Sequence, residues 1–342
     1  MARLSPYVCA RDLYRQDGKI LLDANENAFA SESIEGTLLN RYPDPDCTQL
    51  RRALADYCGA AGEKIIVGNG SDEIIQMTIS AFCGDGDNVV SVQPGYSMYG
   101  VLAKTAGAQE RQCVLEEGFR LDAEKVLKTI DSRTKIIFVV SPNSVTGTQV
   151  DSTEIRRLLN GFDGVVFVDE AYYEYCGESV SDLVDEYEDL VVSRTLSKAW
   201  GLAALRIGYC VSSKENIATL RKVKLPYNVN SLSQEVATRF LRTGRQAMLE
   251  NVQKTIAQRE VLSAQLATLG LEVFASSANF VAVRFPQGIS SQDVQRKLAE
   301  KGIIIRDRSS LPSMGNCSRI TVGTSEENAV LLGELSGILR GW

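Results

Sequence analysis

Histidine is absent from all 342 residues. The side chain most often used as general base and metal ligand at neutral pH is therefore missing, and every catalytic triad built on it is excluded. Proton transfer falls to lysine, tyrosine, cysteine or a carboxylate. The eight cysteines (Cys9, Cys47, Cys58, Cys83, Cys113, Cys176, Cys210 and Cys317) include no CxxC pair. Scattered along so long a chain, they read as reduced core thiols, with no metal site and no disulfide framework expected. No apolar run reaches membrane-spanning length, and the opening MARLSPYVCARDLYRQDGK lacks the apolar core of a signal peptide. A cytoplasmic protein without a membrane partner is expected. Positive charge is also short: 43 acidic against 37 basic residues leave a net charge of -6. This argues against nucleic acid as a partner and leaves small anionic ligands to a locally basic pocket. Repeats and low-complexity linkers are lacking as well.

What is present is a hydrophobic content of 44%, enough to bury a large core. The first forty residues are irregular, with LLDANENAF as a short strand or extended arm and RYPDPDC as a turn region. A helix is predicted from Cys47 or Thr48 to about Cys58. KIIVGNGSDEIIQMTISAFCG then reads as strand, glycine turn and helix. Strands follow at NVVSVQP, TKIIFVV, GVVFVDEAY, LVVSRT and RIGYCVSS, with helices at SMYGVLAKTAG and STEIRRLLNGF between some of them. The apolar runs are short and continuous, as in strands covered on both faces. Strands alternating with helices predict an α/β fold with a mostly parallel central sheet and crossovers. Near KLPYNVNSLSQ the pattern changes. Two helices are predicted at about 231–243 and 245–269, the second a bridge, followed by ANFVAVRF, a helix near 290–300, GIIIRDR, SRITVGT and a last helix. Residues 230–342 read as a smaller α+β domain.

In an open parallel sheet, ligands gather beyond the carboxyl ends of the strands, and four polar clusters fall at such ends. Gly70, Ser71 and Asp72 form a glycine turn into a helix N-terminus, a seat for phosphate. The alternative is an ordinary cap by Ser71 or Asp72. Asp169 ends an apolar strand, where a carboxylate needs a cationic or hydrogen-bonding partner. A protonated heteroaromatic nitrogen would serve, and a loop-capping role is the alternative. Tyr172 lies three residues on, as a second ligand contact or a core aromatic. Lys198, in RTLSKAWGLAALRIGY, stands among small and apolar residues. Its amine suits covalent bonding to a carbonyl cofactor and later proton transfer, or it simply snorkels. Thr195 and Ser197 are caps or hydroxyls aimed at the same anion, and Arg206 is a donor fork for phosphate or a structural ion-pair partner. Arg306 and Arg319 lie near apolar strands of the smaller domain, as a clamp for a substrate with two acidic ends or as surface charges.

Glycine turn, strand-end aspartate, lysine and arginine come in the order used by pyridoxal-phosphate enzymes of the aspartate-aminotransferase-like fold. The chain closely resembles one branch of that superfamily, the histidinol-phosphate aminotransferases, through LLDANENAF, RYPDPD, GNGSDE, PGYSMY, SPNSVTG, VDEAY, RTLSKAWGLAALRIGY, GIIIRDR and SRITVGTSEEN. These cover nearly the whole chain in order. The resemblance implies fold type I: an arm over residues 1–30, a three-layer cofactor-binding domain over 31–229, and the smaller domain over 230–342. It implies reversible amino transfer between L-histidinol phosphate and 2-oxoglutarate, giving imidazole acetol phosphate and L-glutamate, with pyridoxal 5'-phosphate as cofactor.

Residue by residue, it implies Lys198 as the lysine that bonds the cofactor and moves protons. Asp169 would pair with the ring nitrogen, Tyr172 with the ring oxygen, and Tyr96 would stack on the ring. Gly70, Ser71, Asp72, Thr195, Ser197 and Arg206 would cradle the phosphate. Tyr42 would reach that phosphate across a homodimer interface. Arg319 would take the α-carboxylate, and Arg306 with Tyr7 would take the substrate phosphate or second carboxylate; Asn25 belongs to the substrate-site arm. Where the family has PNNPTG, this chain has Pro142-Asn143-Ser144-Val145-Thr146-Gly147, and NENP is NENA, ending in Ala28. A serine hydroxyl cannot duplicate an amide N–H₂. Either Ser144 reaches the ring oxygen through water, Asn143 replaces the lost asparagine, or the contact is missing. Aromatic aminotransferases and threonine-phosphate decarboxylase share nearly the same cofactor residues and are the nearest alternatives. A cofactor-free binding or regulatory module is the alternative outside catalysis.

Overall fold

A computed structural model describes residues 33–34 and 37–341; Tyr7, Asn25 and Ala28 lie outside the described residues. A two-stranded hairpin, β1 (Ser33–Ile34) and β2 (Thr37–Leu38), precedes helix α1 (Thr48–Cys58). The main sheet has seven strands: β3 (Ile65–Asn69), β4 (Asn88–Gln93), β5 (Gln109–Val114), β6 (Thr134–Val140), β7 (Val165–Asp169), β8 (Leu190–Thr195) and β9 (Ile207–Ser212). Their spatial order is β3-β9-β8-β7-β6-β4-β5. β4, β7, β8 and β9 are buried at every position, which is why their apolar residues come in short continuous runs instead of strict alternation. The pairs β5–β4, β4–β6, β6–β7 and β7–β8 are parallel, whereas β9 is antiparallel to both β8 and β3.

The reversal at β9 matters for function. β3 and β8 each pair antiparallel with β9, so they run the same way. The carboxyl ends of β3, β6, β7 and β8 therefore share one edge of the sheet, and so does the start of β9, just after Arg206. Helices α2 (Ser71–Phe82), α3 (Met98–Thr105), α4 (Ala123–Thr129), α5 (Ser152–Gly161) and α6 (Lys214–Arg221) complete the crossovers.

Helices α7 (Ser231–Thr243) and α8 (Arg245–Thr268) match the predicted spans within one residue. Met248 and Val252 of α8 sink into the core beside the main sheet, while Leu262 and Leu266 enter a separate core. That second core lies beneath a four-stranded antiparallel sheet of β10 (Glu272–Val273), β11 (Phe280–Arg284), β12 (Arg306–Asp307) and β13 (Cys317–Thr321), in the order β10-β11-β13-β12. Helices α9 (Ser291–Glu300) and α10 (Ser325–Arg340) cover it. Successive side chains of a strand point to opposite faces. Val281 and Val283 face those helices, and Phe280 and Ala282 join the core of the main sheet. Arg319 pairs across from Ala282, which places it on the face turned toward the main sheet.

The strand β5 is absent from the expectations above. It is an edge strand, QERQCV, whose single fully buried residue is Cys113, so neither an apolar run nor an alternation betrays it. The short helices α4 and α6 are likewise absent from the expectations above. Among the described residues, no helix is long and apolar enough to cross a membrane and no cluster of potential metal ligands forms.

Candidate active site

The shared edge carries a cleft of about 220 Å³. It is lined by Ser71, Asp72, Tyr96, Ser144, Asp169, Ala171, Tyr172, Thr195, Ser197, Lys198 and Arg206. At one end, β3 turns through Gly70 into α2. Gly70 sits at φ 82° and no side chain caps the helix, so the cap role considered for Ser71 and Asp72 is not what the fold uses. The first N–H groups of a helix, with its dipole, favour an anion. A Cβ at Gly70 would fall 2.6 Å from Arg206 Nη2, and one at Gly208 would fall 2.2 Å from the Ser71 backbone nitrogen. Only glycine lets β9 and Arg206 close on the turn this tightly.

Arg206 itself adopts a left-handed backbone (φ 53°, ψ 50°) and sets Nη2 3.4 Å from Asp72 Oδ2. The other Asp72 oxygen accepts from Tyr96 Oη at 2.8 Å. Thr195 Oγ1 and Ser197 Oγ lie 3.0 Å apart, and the Ser197 N–H donates to Thr195 Oγ1 at 3.1 Å. Two hydroxyls, a guanidinium and an uncapped helix start therefore converge where a small phosphate would sit.

At the cleft floor, Asp169 ends β7 and is 5% exposed. Its Oδ2 accepts from Tyr99 Oη at 2.9 Å and its Oδ1 from the Ala171 N–H at 3.1 Å. Burial pushes its pKa up to about 6, against the opposing pull of those two donors. Among the described residues the carboxylate has hydrogen-bond donors and the pull of Lys198 but no ion-pair partner, so it is set up for a cationic ligand atom. Tyr99 is a site residue that sequence reasoning missed. It lies inside α3, stacked 4.4 Å from the Phe138 ring, and its pattern is that of any core aromatic.

Lys198 follows β8 and opens onto the cleft, with Nζ 5.5 Å from the centre of the Tyr172 ring. Its side chain is accessible from the open side, yet enough protein surrounds it that desolvation lowers its pKa. The charge of Arg319 lowers it further, while Asp169 opposes. Burial raises the pKa of Tyr172.

Asn143 is buried: Nδ2 donates to the Pro94 carbonyl at 2.9 Å, and Oδ1 accepts from the N–H groups of Val145 (2.8 Å) and Thr146 (3.1 Å). These bonds use one of its two N–H donors, and Asn143 is not among the residues that line the cleft. Ser144 is the loop residue that lines the cleft. Its carbonyl accepts from Arg319 Nη1 at 2.6 Å, joining this loop to β13. Arg306 stands directly across β12–β13 from Arg319. Tyr42 is 52% exposed and stacks on Tyr227 at 4.6 Å, outside the cleft lining.

An uncapped helix start for phosphate, a buried carboxylate awaiting a cation and an amine with depressed pKa together suit a phosphorylated heteroaromatic aldehyde. The family described as aminotransferase class I and II matches residues 14–335. This chain belongs to the class I and II aminotransferases. The cofactor of the family is pyridoxal phosphate, and the site residues fit it. A histidinol-phosphate aminotransferase of Thermoanaerobacter pseudethanolicus is 39% identical over 329 residues, 93% of this chain and 92% of that protein. One from Bacteroides fragilis is 40% identical over 339 residues, 97% of this chain and 95% of its own length. Among solved structures, the histidinol-phosphate aminotransferase of Clostridium acetobutylicum superposes with a TM-score of 0.82 at 24% identity, covering 89% of this aminotransferase and 92% of that chain. At that identity the likeness speaks for the fold.

Proposed function

We propose that this aminotransferase moves an amino group reversibly between L-histidinol phosphate and 2-oxoglutarate, a step of histidine biosynthesis. The observation that carries the reading is the meeting of Lys198, Asp169 and Arg206 in one cleft, bordered by the arginine-bearing face of the smaller sheet. Pyridoxal phosphate, when bound, supplies an electron sink that accepts charge from the substrate's α-carbon. Ser71, Asp72, Thr195, Ser197 and Arg206 would hold its phosphate, Asp169 would keep the ring nitrogen protonated, Tyr172 and Ser144 would serve the ring oxygen, and Tyr96 would stack on the ring.

Lys198 would hold the cofactor between turnovers, and its free amine would then serve as the base that takes a proton from the substrate's α-carbon. A base must have its free amine available near the working pH, and the depressed Lys198 pKa moves it that way. In a chain without histidine, one mobile lysine meets this need. Arg319, tied to the Ser144 carbonyl, would take the α-carboxylate of glutamate, and Arg306 would take its second carboxylate or the phosphate of L-histidinol phosphate.

An assay panel tests the substrate. Holoenzyme is offered L-histidinol phosphate, phenylalanine, tyrosine and threonine phosphate, each with 2-oxoglutarate. Glutamate formation fastest from L-histidinol phosphate is the expected outcome. Carbon dioxide release from threonine phosphate without amino transfer would sink the reading, and preference for the aromatic amino acids would reassign the substrate.

The working unit is a homodimer in the cytoplasm, with Tyr42 completing the phosphate seat of the other subunit. Supporting this, Tyr42 and Leu225 present exposed apolar surface, 52% and 68% accessible. Tyr42→Phe should weaken pyridoxal phosphate binding by about tenfold, the value of one charge-assisted hydrogen bond. Unchanged affinity by fluorescence titration would count against the shared seat.

A further inference from the structure

The smaller sheet holds more positive charge toward the cleft than a two-arginine clamp requires. Arg306 and Arg308 are two apart along the chain, so their side chains leave β12 and its continuation on the same side. Arg319 is the cross-strand partner of Arg306 and shares that side. Asp307, between them, is turned the other way: its Oδ1 accepts from Ser291 Oγ at 2.7 Å and its Oδ2 from Ser309 Oγ at 2.8 Å. Among the described residues, none of the three arginines forms an ion pair with a carboxylate.

Arg308 is the least explained of the three. Its backbone is pinned, the N–H donating to the Cys317 carbonyl at 2.8 Å. Its side chain is half-buried, and its Nε is fully buried with no acceptor among the described residues. Burial first, and then the charges of Arg319 and Arg306, push its pKa down to about 10, while Tyr172 opposes. Tyr172 lines the cleft, so the Arg308 guanidinium lies within the field of the candidate active site. A buried guanidinium donor without an acceptor, beside two further cations, is costly unless an anion completes it.

We propose that Arg308 is a specificity-determining residue, which with Arg306 grips the phosphate of L-histidinol phosphate and favours a dianion over a carboxylate. The inference rests on the amino-transfer reading above and extends it. Arg319 is already oriented by the Ser144 carbonyl and by the Phe280 ring, 5.1 Å away, which suits the α-carboxylate of glutamate. Arg306 and Arg308 then remain for glutamate's γ-carboxylate or for the phosphate of L-histidinol phosphate. A phosphate ester carries about -1.5 to -2 charge and three acceptor oxygens, which two guanidinium forks can satisfy. A γ-carboxylate carries one charge and two oxygens, so it depends less on the second fork.

The test uses pyridoxal-phosphate-loaded enzyme, wild type against Arg308→Gln and Arg308→Lys. Single half-reactions, followed by cofactor absorbance, give the concentration dependence for L-histidinol phosphate and for L-glutamate. Inorganic phosphate is added as a competitor of the glutamate half-reaction. Arg308→Gln should raise the half-saturating concentration of L-histidinol phosphate by roughly 10- to 100-fold, as for the loss of charge-assisted hydrogen bonds. That of glutamate should change by less than about threefold, the maximal rates should hold, and inhibition by phosphate should weaken by about tenfold or more. Arg308→Lys, keeping the charge without the fork, should fall between.

Equal effects on both substrates, or none, would overturn the role of Arg308. The glutamate half-reaction reports whether each variant is intact, and Arg308→Lys is read in the same way if Arg308→Gln does not fold. A wild-type enzyme that ignores L-histidinol phosphate would defeat the substrate reading instead. The phosphate competition arm would then still decide whether Arg308 binds a dianion.

Discussion

Replacing Lys198 by alanine is expected to lower the rate of amino transfer by about 10⁴-fold or more, the scale of a lost proton-transfer residue, before its covalent role is counted. The variant should still fold and still bind pyridoxal phosphate, because the phosphate seat is made by other residues: the start of α2, Thr195, Ser197 and Arg206. Among the described residues the Lys198 side chain makes no hydrogen bond; the loop is held by backbone bonds, the Gly201 N–H donating to the Lys198 carbonyl and the Leu202 N–H donating to the Leu196 carbonyl, both at 3.0 Å. Single-turnover absorbance with L-histidinol phosphate measures the rate, and circular dichroism checks the fold. A rate within tenfold of wild type would remove Lys198 from the mechanism.

Asp169→Asn should have the second-largest effect, and it separates the cost of the site from its use. The folded pKa of Asp169 is about 6 against an ordinary 3.8. Between these values the folded protein without cofactor binds more protons than the unfolded chain, so its stability falls as pH rises. Above pH 6 the ionised, buried carboxylate costs about 3 kcal/mol. Asparagine keeps the shape and cannot ionise. The cofactor-free variant should therefore be more stable than wild type at pH 7, with the advantage gone by pH 4. In the loaded enzyme the sign reverses, because the carboxylate then faces a protonated ring nitrogen, and activity should drop by roughly 10³-fold. Urea midpoints at pH 4 and 7, with and without pyridoxal phosphate, measure the first part. A cofactor-free variant less stable than wild type at pH 7 would contradict it.

The parts of the site that were legible lie where the chain changes from strand to loop. GVVFVDEAY exposes Asp169 because a strand buried on both faces must be apolar until it reaches the ligand edge. GNGSDE is readable because a helix that starts on glycine leaves its N–H groups uncapped. Partners that meet only through tertiary packing were not legible. Tyr99 reaches Asp169 across 70 residues of sequence, from a helix position that any core aromatic could fill. The placement of Asn143 and Ser144 also depended on something no local pattern shows: the Asn143 amide is bonded to the Pro94 carbonyl and its own loop, and Ser144 lines the cleft. Arg308 stood in plain view in GIIIRDR. The period of two that pairs it with Arg306 is a sequence property, but its unmatched Nε appears only once β12 docks on β13. The edge strand β5 escaped because it buries too little to be apolar.

The central claim is that Lys198 carries the cofactor and gives it up to L-histidinol phosphate. Borohydride reduction of the loaded enzyme, followed by proteolysis and mass spectrometry, tests it directly. Expected is a pyridoxyl group on the peptide containing Lys198 alone, lost when L-histidinol phosphate is added before the borohydride. A pyridoxyl group on another lysine, or one on Lys198 that L-histidinol phosphate does not remove, would contradict the account.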